Sequence, residues 1–493
     1  MSSANADLSR RKFIHSLGVT MTACLLPLPA IAGGKQPHGA MLLGALPQDS
    51  VLMEARKGQV ELLGKGLGKT DIWGYGGQVP GPVLRVKQGA EVRVRFKNRL
   101  DQGSTIHWHG IRIDNKMDGV AGLTQEAVAP GENFDYNFTV PDAGSYWYHP
   151  HNRTWEQVAR GLYGLLIVEE PEPLMVDHDL ALAFDDWQLK SDGQLESETF
   201  GQIGERAHEG RIGNVMTVNG TTNMAFDVKS GDRVRVRVCN TANSRIMRLR
   251  VEGCVARVVA LDGQPVEPRE PEAGDLLVSP SQRMDLILDM DGAPGSTAVI
   301  SEVSDMRLPL VRFELHDTQK SRAAPLTDLK KLSDNPLQAP DRTEPLKVGL
   351  EMTGGAMGGM SSAIYKGKKL SMNELVREAG MIWALNGVAG MPEKPLFSAR
   401  LGQTVELDMI NNTSFPHAMH LHGHHMSEVQ RVRQTREGAV FVTTRPDWRD
   451  TVLVDRAEAV KVAFVADNPG KWMIHCHMLE HQAGGMATWF EVV

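Results

Sequence analysis

The chain has 493 residues and a formal net charge of −7, and at ~150 residues per domain that length suggests about three domains. No basic patch points to nucleic acid and no block of like charge forms an interaction tail. Partners are therefore to be sought at discrete sites rather than on a charged face.

The first element in the chain is a targeting segment. SRRKFIHSLGVTMTACLLPLPAIA holds Arg10 and Arg11, an apolar run, and Ala30-Ile31-Ala32 as a small-residue cleavage site. This is the pattern of a twin-arginine export signal over residues 1–32. A buried first helix is the alternative, opposed by Pro27 and Pro29 within the run, since proline breaks a helix interior. The run is also short for a bilayer span, and no other segment is apolar enough to cross a membrane. Twin-arginine export carries folded proteins, often with a cofactor loaded. It predicts a periplasmic mature chain and is a first hint of metal or prosthetic chemistry.

Strand signals dominate from there on. VLRVKQGAEVRVRFKN, DRVRVRVCN and QTVELDMINN alternate apolar and polar residues between Gly, Asn and Pro punctuation, and nothing long has clean helical periodicity, so the class is all-β, built of sandwich domains. The strands also repeat: VPGPVLRVKQGAEVRVRFKN (79–98), VNGTTNMAFDVKSGDRVRVRVCN (218–240) and LNGVAGMPEKPLFSARLGQTVELDMINN (385–412) share a glycine turn (Gly89, Gly231, Gly402) and a closing asparagine (Asn98, Asn240, Asn411). The glycines are 142 and then 171 residues apart, a domain-sized spacing far longer than a solenoid period. Three related domains are expected over 33–170, 171–321 and 348–493. The proline-marked stretch Glu170-Pro171-Glu172-Pro173 bounds the first, and the proline- and charge-rich segment 322–347 is read as a linker before the third.

Histidines fall into register with the repeat. Eighteen and twenty residues beyond each glycine lie His107 and His109, then Leu249 and Val251, then His420 and His422. A second turn behaves alike: five and seven residues beyond Gly144, Gly295 and Gly470 come His149 and His151, Ile300 and Glu302, and His475 and His477. The outer domains thus carry two HxH pairs each and the middle domain none. Residues i and i+2 of a strand share a face, so each pair presents two imidazoles side by side. Imidazole suits copper, zinc, iron and nickel, and one ion rarely takes more than about four, so eight convergent histidines imply a cluster between the two outer domains.

Three cysteines remain once Cys24 leaves with the signal. Cys239 and Cys254 are read as small buried residues, with a disulfide between them as the alternative in an oxidising compartment. Cys476 is the odd thiol. With His417, His481 and Met486 it makes a set of one thiolate, two imidazoles and a weak axial thioether, which selects copper and tunes its potential for electron transfer. Zinc is the runner-up for a Cys/His set, but structural zinc seldom takes a thioether and usually wants more thiolates.

HWHG (107–110), HPH (149–151), HAMHLHGH (417–424) and HCHMLEHQAGGM (475–486) resemble the four copper-binding motifs of the multicopper oxidases, and the likeness runs from VPGPVLRV to FEVV. The resemblance implies three cupredoxin-like Greek-key β-sandwich domains, four copper ions, and one-electron oxidation of a donor coupled to four-electron reduction of O2 to water. Carried over, it implies a type 1 copper on His417, Cys476, His481 and Met486. It implies a type 2 copper on His107 and His420, and a type 3 pair on His109, His149 and His477 and on His151, His422 and His475. Asp118, nine residues after His109 in KMDGV, matches an acidic residue the family holds near the cluster for protons. A turn residue before Gly119 is its other reading.

The chain departs from the family pattern in places. Gln482 stands where members often have a second acid after the last histidine ligand, which puts a proton relay there in doubt. Pro416 precedes His417 and Ala418 follows it, with ligand spacing unchanged. In EMTGGAMGGMSSAIYKGKKLSMNELVREAGM (351–381), Met352, Met357, Met360, Met372 and Met381 lie in a loop-like, glycine-rich stretch. Thioethers suit Cu(I), yet methionine also fills irregular apolar gaps. Phe415 stands where the resembling cuprous oxidases have a methionine.

The reading is a laccase-like oxidase of phenolic or aromatic amine donors, acting as a monomer, with a small-molecule or metal-ion donor and O2 as its partners. Oxidation of Cu(I), Mn(II) or Fe(II) is the runner-up. A copper-free structural or cell-division factor of the same fold should lack the ligands, and this chain keeps them all.

Overall fold

The computed structural model describes residues 50–316 and 329–493. The export signal and residues 322–328 of the linker lie outside the described residues. Within the described residues no helix is long and apolar enough to cross a membrane.

Strands dominate, in three successive pairs of sheets. Two four-stranded sheets use residues 51–169, a six- and a five-stranded sheet use 178–316, and a seven- and a five-stranded sheet use 346–492. The repeat is a repeat of hydrogen bonds. Gly89, Gly231 and Gly402 have φ of 79°, 91° and 80°, a region open to glycine because it lacks Cβ, and each N–H reaches the next strand, at Val140, Met290 and Ala466. The strands Glu91–Asn98, Arg233–Asn240 and Gln403–Asn411 end on buried asparagines. Each Oδ1 accepts the N–H two residues on, from Leu100, Ala242 and Thr413 at 3.0, 3.0 and 2.9 Å. Nδ2 of Asn98 and of Asn240 donates to two carbonyls and that of Asn411 to three, among them those of Val128, Val278 and Val454.

The apolar core follows the histidine distribution. Buried residues of the first and last thirds form one continuous cluster, from Met53 to Val492. The middle third has its own, in which Leu249 and Ile300 occupy the positions of metal-type histidines elsewhere.

Two sequence readings need adjusting. Leu346 and Lys347, placed in the linker, already belong to the strand Leu346–Gly354, because Leu346 pairs with Val405. The rest of the described linker is strapped down, since Asn335 bonds to Ala143 and to the Gln264 side chain. The methionine-rich stretch is not a loop. It contains a hairpin, Ser362–Tyr365 with Lys368–Ser371, turned by Lys366 and Gly367 at positive φ, followed by the helix Met372–Ala379. Ser371 and Glu374 close a capping box on that helix, a signal legible in SMNE. Cys239 and Cys254 are both free thiols.

Candidate metal centre

Pairing of short strands assembles the site. The strand His107–His109 lies against Gly144–His149 with His107 opposite His149, and His417–Leu421 lies against Gly470–Cys476 with His420 opposite His475 and Met419 opposite Cys476. In the middle third the equivalent strands place Leu249 opposite Glu302 and Val251 opposite Ile300. Alternation then sends His475 and His477 to one side and Cys476 to the other.

Four sets of buried ligand atoms result, each within 4.8 Å of one another: His107, His109 and His420; His109, His149 and His477; His151, His422 and His475; and His417, Cys476 and His481. The first three mix histidines from both ends of the chain. An overlapping set joins Asp118 to His107 and His422. Met486 is fully buried in the same core as Cys476. Its carbonyl accepts the Cys476 N–H at 3.1 Å and its N–H donates to His481 at 3.0 Å.

Outer hydrogen bonds decide which nitrogen most of these imidazoles offer. The Nδ1–H groups of His107 and His420 donate to the carbonyls of Asp118 and Asp450 at 2.7 and 2.9 Å, leaving both Nε2 atoms buried without a protein partner. His149 and His475 donate Nδ1–H to the carbonyls of Pro150 and Cys476, and His422 donates to the Asp118 carboxylate at 3.0 Å. The Nε2 lone pairs of His422 and His475 therefore face each other at 3.1 Å. His417 and His481 are turned the other way round. Thr413 Oγ1 takes the Nε2–H of His417 at 2.8 Å and the His208 carbonyl takes that of His481 at 2.6 Å. Their Nδ1 atoms face at 3.1 Å, with Cys476 Sγ at 3.6 and 3.7 Å. Lone pairs aimed at lone pairs in a dry interior repel unless a cation lies between them, so the residues present fit bound metal. Locking the far nitrogen in this way is how ligating histidines are oriented.

Burial, reinforced by neighbouring imidazoles, holds His149, His151, His417, His422, His475 and His477 well below the ordinary imidazole range, so they are neutral donors. Burial pushes the Cys476 thiol up to about 12, so metal binding must release its proton. Burial also lowers His481 from 6.5 to about 4. Such a histidine is neutral when folded and protonates when unfolded. Its contribution is complete above pH 6.5 and is lost as pH falls from 6.5 toward 4, an effect of about 3 kcal/mol at 1.36 kcal/mol per pH unit. Urea melts of the copper-free protein are therefore expected to show a lower midpoint at pH 5 than at pH 7.5; an unchanged or higher midpoint would refute neutral burial.

Several partners of the site were not picked out from the sequence. Asp450, fully buried, accepts from His109 Nε2 at 3.2 Å and is paired with Arg283. Burial alone would raise its carboxyl, but the Arg283 guanidinium holds it well below the usual range. His208 caps His481 from the middle third, and Trp383 packs on both His417 and His481, with ring centroids 5.1 and 4.6 Å away. Trp147 stacks on His149 at 4.2 Å. The sequence carries no local mark of the roles of Asp450, His208 and Trp383, because their contacts with His109, His417 and His481 join distant parts of the chain. Asp118 is fully buried beside His107 and His422, and the Gln482 side-chain oxygen is buried with no partner among the described residues.

Comparison with known proteins identifies the family of the chain. Family models described as multicopper oxidase match residues 54–173, 179–307 and 365–493. The multicopper oxidase MmcO of Mycobacterium tuberculosis is 31% identical over 84% of this chain and 82% of its own length. The crystal structure of a multi-copper oxidase from Pseudomonas thermotolerans superimposes with a TM-score of 0.75 at 31% identity, covering 90% of this chain and 99% of the other. That of Lac15 from a marine microbial metagenome gives 0.69 at 37% identity, covering 90% and 100%.

Proposed function

The chain belongs to the multicopper oxidase family, and from that premise we propose a laccase-like enzyme that oxidises phenols or aromatic amines with O2 as acceptor. Four coppers are assigned, a type 1 ion on His417, Cys476, His481 and Met486 and a cluster of three on the eight HxH histidines. Within the cluster His107 and His420 hold the type 2 ion; His109, His149 and His477 hold one type 3 ion and His151, His422 and His475 the other. Copper held by these residues would supply the one-electron redox chemistry that couples donor oxidation to O2 reduction.

The chain's own part is positional. His475, Cys476 and His477 are consecutive, so one short stretch of strand links the two sites covalently. The Asp118 carboxylate sits against His422, where it holds a proton acceptor at the cluster's edge. The outer nitrogens of His417 and His481 are already bonded to Thr413 and His208, so no ligand edge is open to a donor. Export to the periplasm and a monomeric state complete the proposal, as one chain encloses every ligand set.

One observation carries the choice of organic donors over Cu(I). Of the five methionines between 351 and 381, Met352 is core and Met360, Met372 and Met381 pack against apolar clusters. Only Met357, 68% exposed, stands in solvent. Gap-filling accounts for four of them, and a thioether-lined path for Cu(I) would need more than one exposed sulfur. In steady-state O2 uptake by the copper-loaded enzyme, 2,6-dimethoxyphenol is expected to match or exceed Cu(I) in kcat/KM, and Met357→Leu to leave the phenol rate unchanged. A Cu(I) efficiency orders of magnitude above that of the phenol would establish a metallo-oxidase instead.

A further inference from the structure

The middle third supplies no copper ligand, yet one of its side chains reaches the cluster through a single intermediary. Arg283 opens the strand Arg283–Asp289 and is fully buried, with its charge directed at Asp450. Nη1 donates to Asp450 Oδ1 at 2.9 Å while Nη2 donates to Oδ2, a two-point fork that fixes the plane of the carboxylate as well as its place. The guanidinium is itself held, by Nε to the Ser145 carbonyl and Nη1 to the Ser281 carbonyl, both at 3.1 Å.

Asp450 in turn bonds to two histidines of the cluster. Its Oδ1 accepts from His109 Nε2 at 3.2 Å and its main-chain carbonyl accepts from His420 Nδ1 at 2.9 Å. The two rings stack at 3.7 Å and 17°. His109 is singular for this reason. Among the described residues it is the one cluster imidazole whose Nε2 is held by a protein oxygen, and its Nδ1 is buried without a partner. Its neighbours in the cluster present Nε2 inward.

We propose that Arg283 is a positioning residue of the copper cluster: by clamping Asp450 it fixes His109 as the Nε2–H tautomer, so that Nδ1 is the nitrogen offered to metal. The inference rests on the reading of His109 as a copper ligand. It gives the ligand-free middle third a role in the cluster, because Arg283 from the middle, Asp450 from the last third and His109 from the first form one buried chain. The set of His109, His149 and His477 joins the first and last thirds, and the Arg283 fork ties the middle third to it.

The test uses Arg283→Met, which removes the fork, and Arg283→Lys, which keeps the charge on a single point. Histidine-selective 15N spectra of the full copper-free chain, with His109 assigned through His109→Gln, report the tautomer directly. Wild type is expected to show His109 protonated at Nε2. Both variants are expected to show a mixture of tautomers, and on copper loading to lose about 10- to 100-fold in affinity for cluster copper with the type 1 absorption unchanged. If Arg283→Met fails to fold, Arg283→Lys carries the same comparison, and if neither folds, Asp450→Asn tests the other end of the clamp with the same readout. A pure Nε2–H tautomer with full cluster copper in whichever of these folds would overturn the inference. The ligand reading is checked separately. Diamagnetic Cu(I) added to wild type should shift His109 Nδ1, and an unmoved Nδ1 would sink that reading rather than the clamp.

Discussion

Replacing Cys476 by serine is expected to abolish the intense blue absorption of the copper-loaded protein and to reduce donor oxidation by about a thousand-fold or more, the scale on which loss of an essential member of a catalytic unit is felt. A hydroxyl is a hard oxygen donor and cannot replace a soft thiolate in a site of two imidazoles and a thioether. The substitution is small and the site is fully enclosed, so the fold should survive. His475 and His477 face away from Cys476 and the other six cluster histidines belong to other segments of the chain, so three of the four proposed coppers should remain on quantitative metal analysis. A blue band that persists in Cys476→Ser, or loss of all copper together, would contradict two sites joined by one strand.

Asp118→Asn should act at the histidine cluster rather than at the Cys476 site. Wild-type Asp118 does two things: its main-chain carbonyl takes the Nδ1–H of His107, and its carboxylate takes that of His422. Asparagine keeps the first and offers an amide oxygen for the second, but it has no titratable group. Turnover with O2 is expected to fall about 10- to 100-fold, the usual penalty for disturbing a group behind metal ligands, while anaerobic reduction of the type 1 site by a phenol stays at the wild-type rate. Asp118→Ala, which also releases His422, should in addition lower cluster copper content. Equal turnover in wild type and Asp118→Asn, with loss only in Asp118→Ala, would make Asp118 a positioning residue with no part in proton delivery. The adjoining glycine supports its placement. Gly119 has φ of 80°, and a Cβ there would meet the Ile106 carbonyl at 1.9 Å, so the turn holds Asp118 against the cluster and no larger residue fits.

The two readings of Asp118 thus converge, since it is both a turn residue before glycine and a neighbour of two ligands. The methionine stretch shows where local reading fell short. SMNE carries a capping box and YKGK a two-residue hairpin turn, but glycine and methionine content alone suggested a loop. Packing then put four of the five sulfurs against apolar neighbours. Asp450 and Arg283 are harder still. In RPDWRDTV and SQRMDL they look like ordinary charges near strand starts, and they acquire meaning only when sheets from three parts of the chain meet.

The amino-acid sequence by itself determined the inventory of paired histidines, the repeat that distributes it to the two outer thirds, and the opposite facing of Cys476 and its flanking histidines. All three follow from short-range geometry: a strand alternates with period two, and a glycine turn with its closing asparagine sets the register wherever it recurs. Tertiary structure alone decided which nitrogen His109, His422 and His481 present, what covers His481, and that the middle third reaches the cluster. Those outcomes depend on hydrogen bonds such as His109 to Asp450, 341 residues apart, and His481 to His208, 273 apart. A buried neutral imidazole has two nitrogens and one proton, and for His109 and His481 the choice between them is made by the acceptor that the distant chain brings within reach.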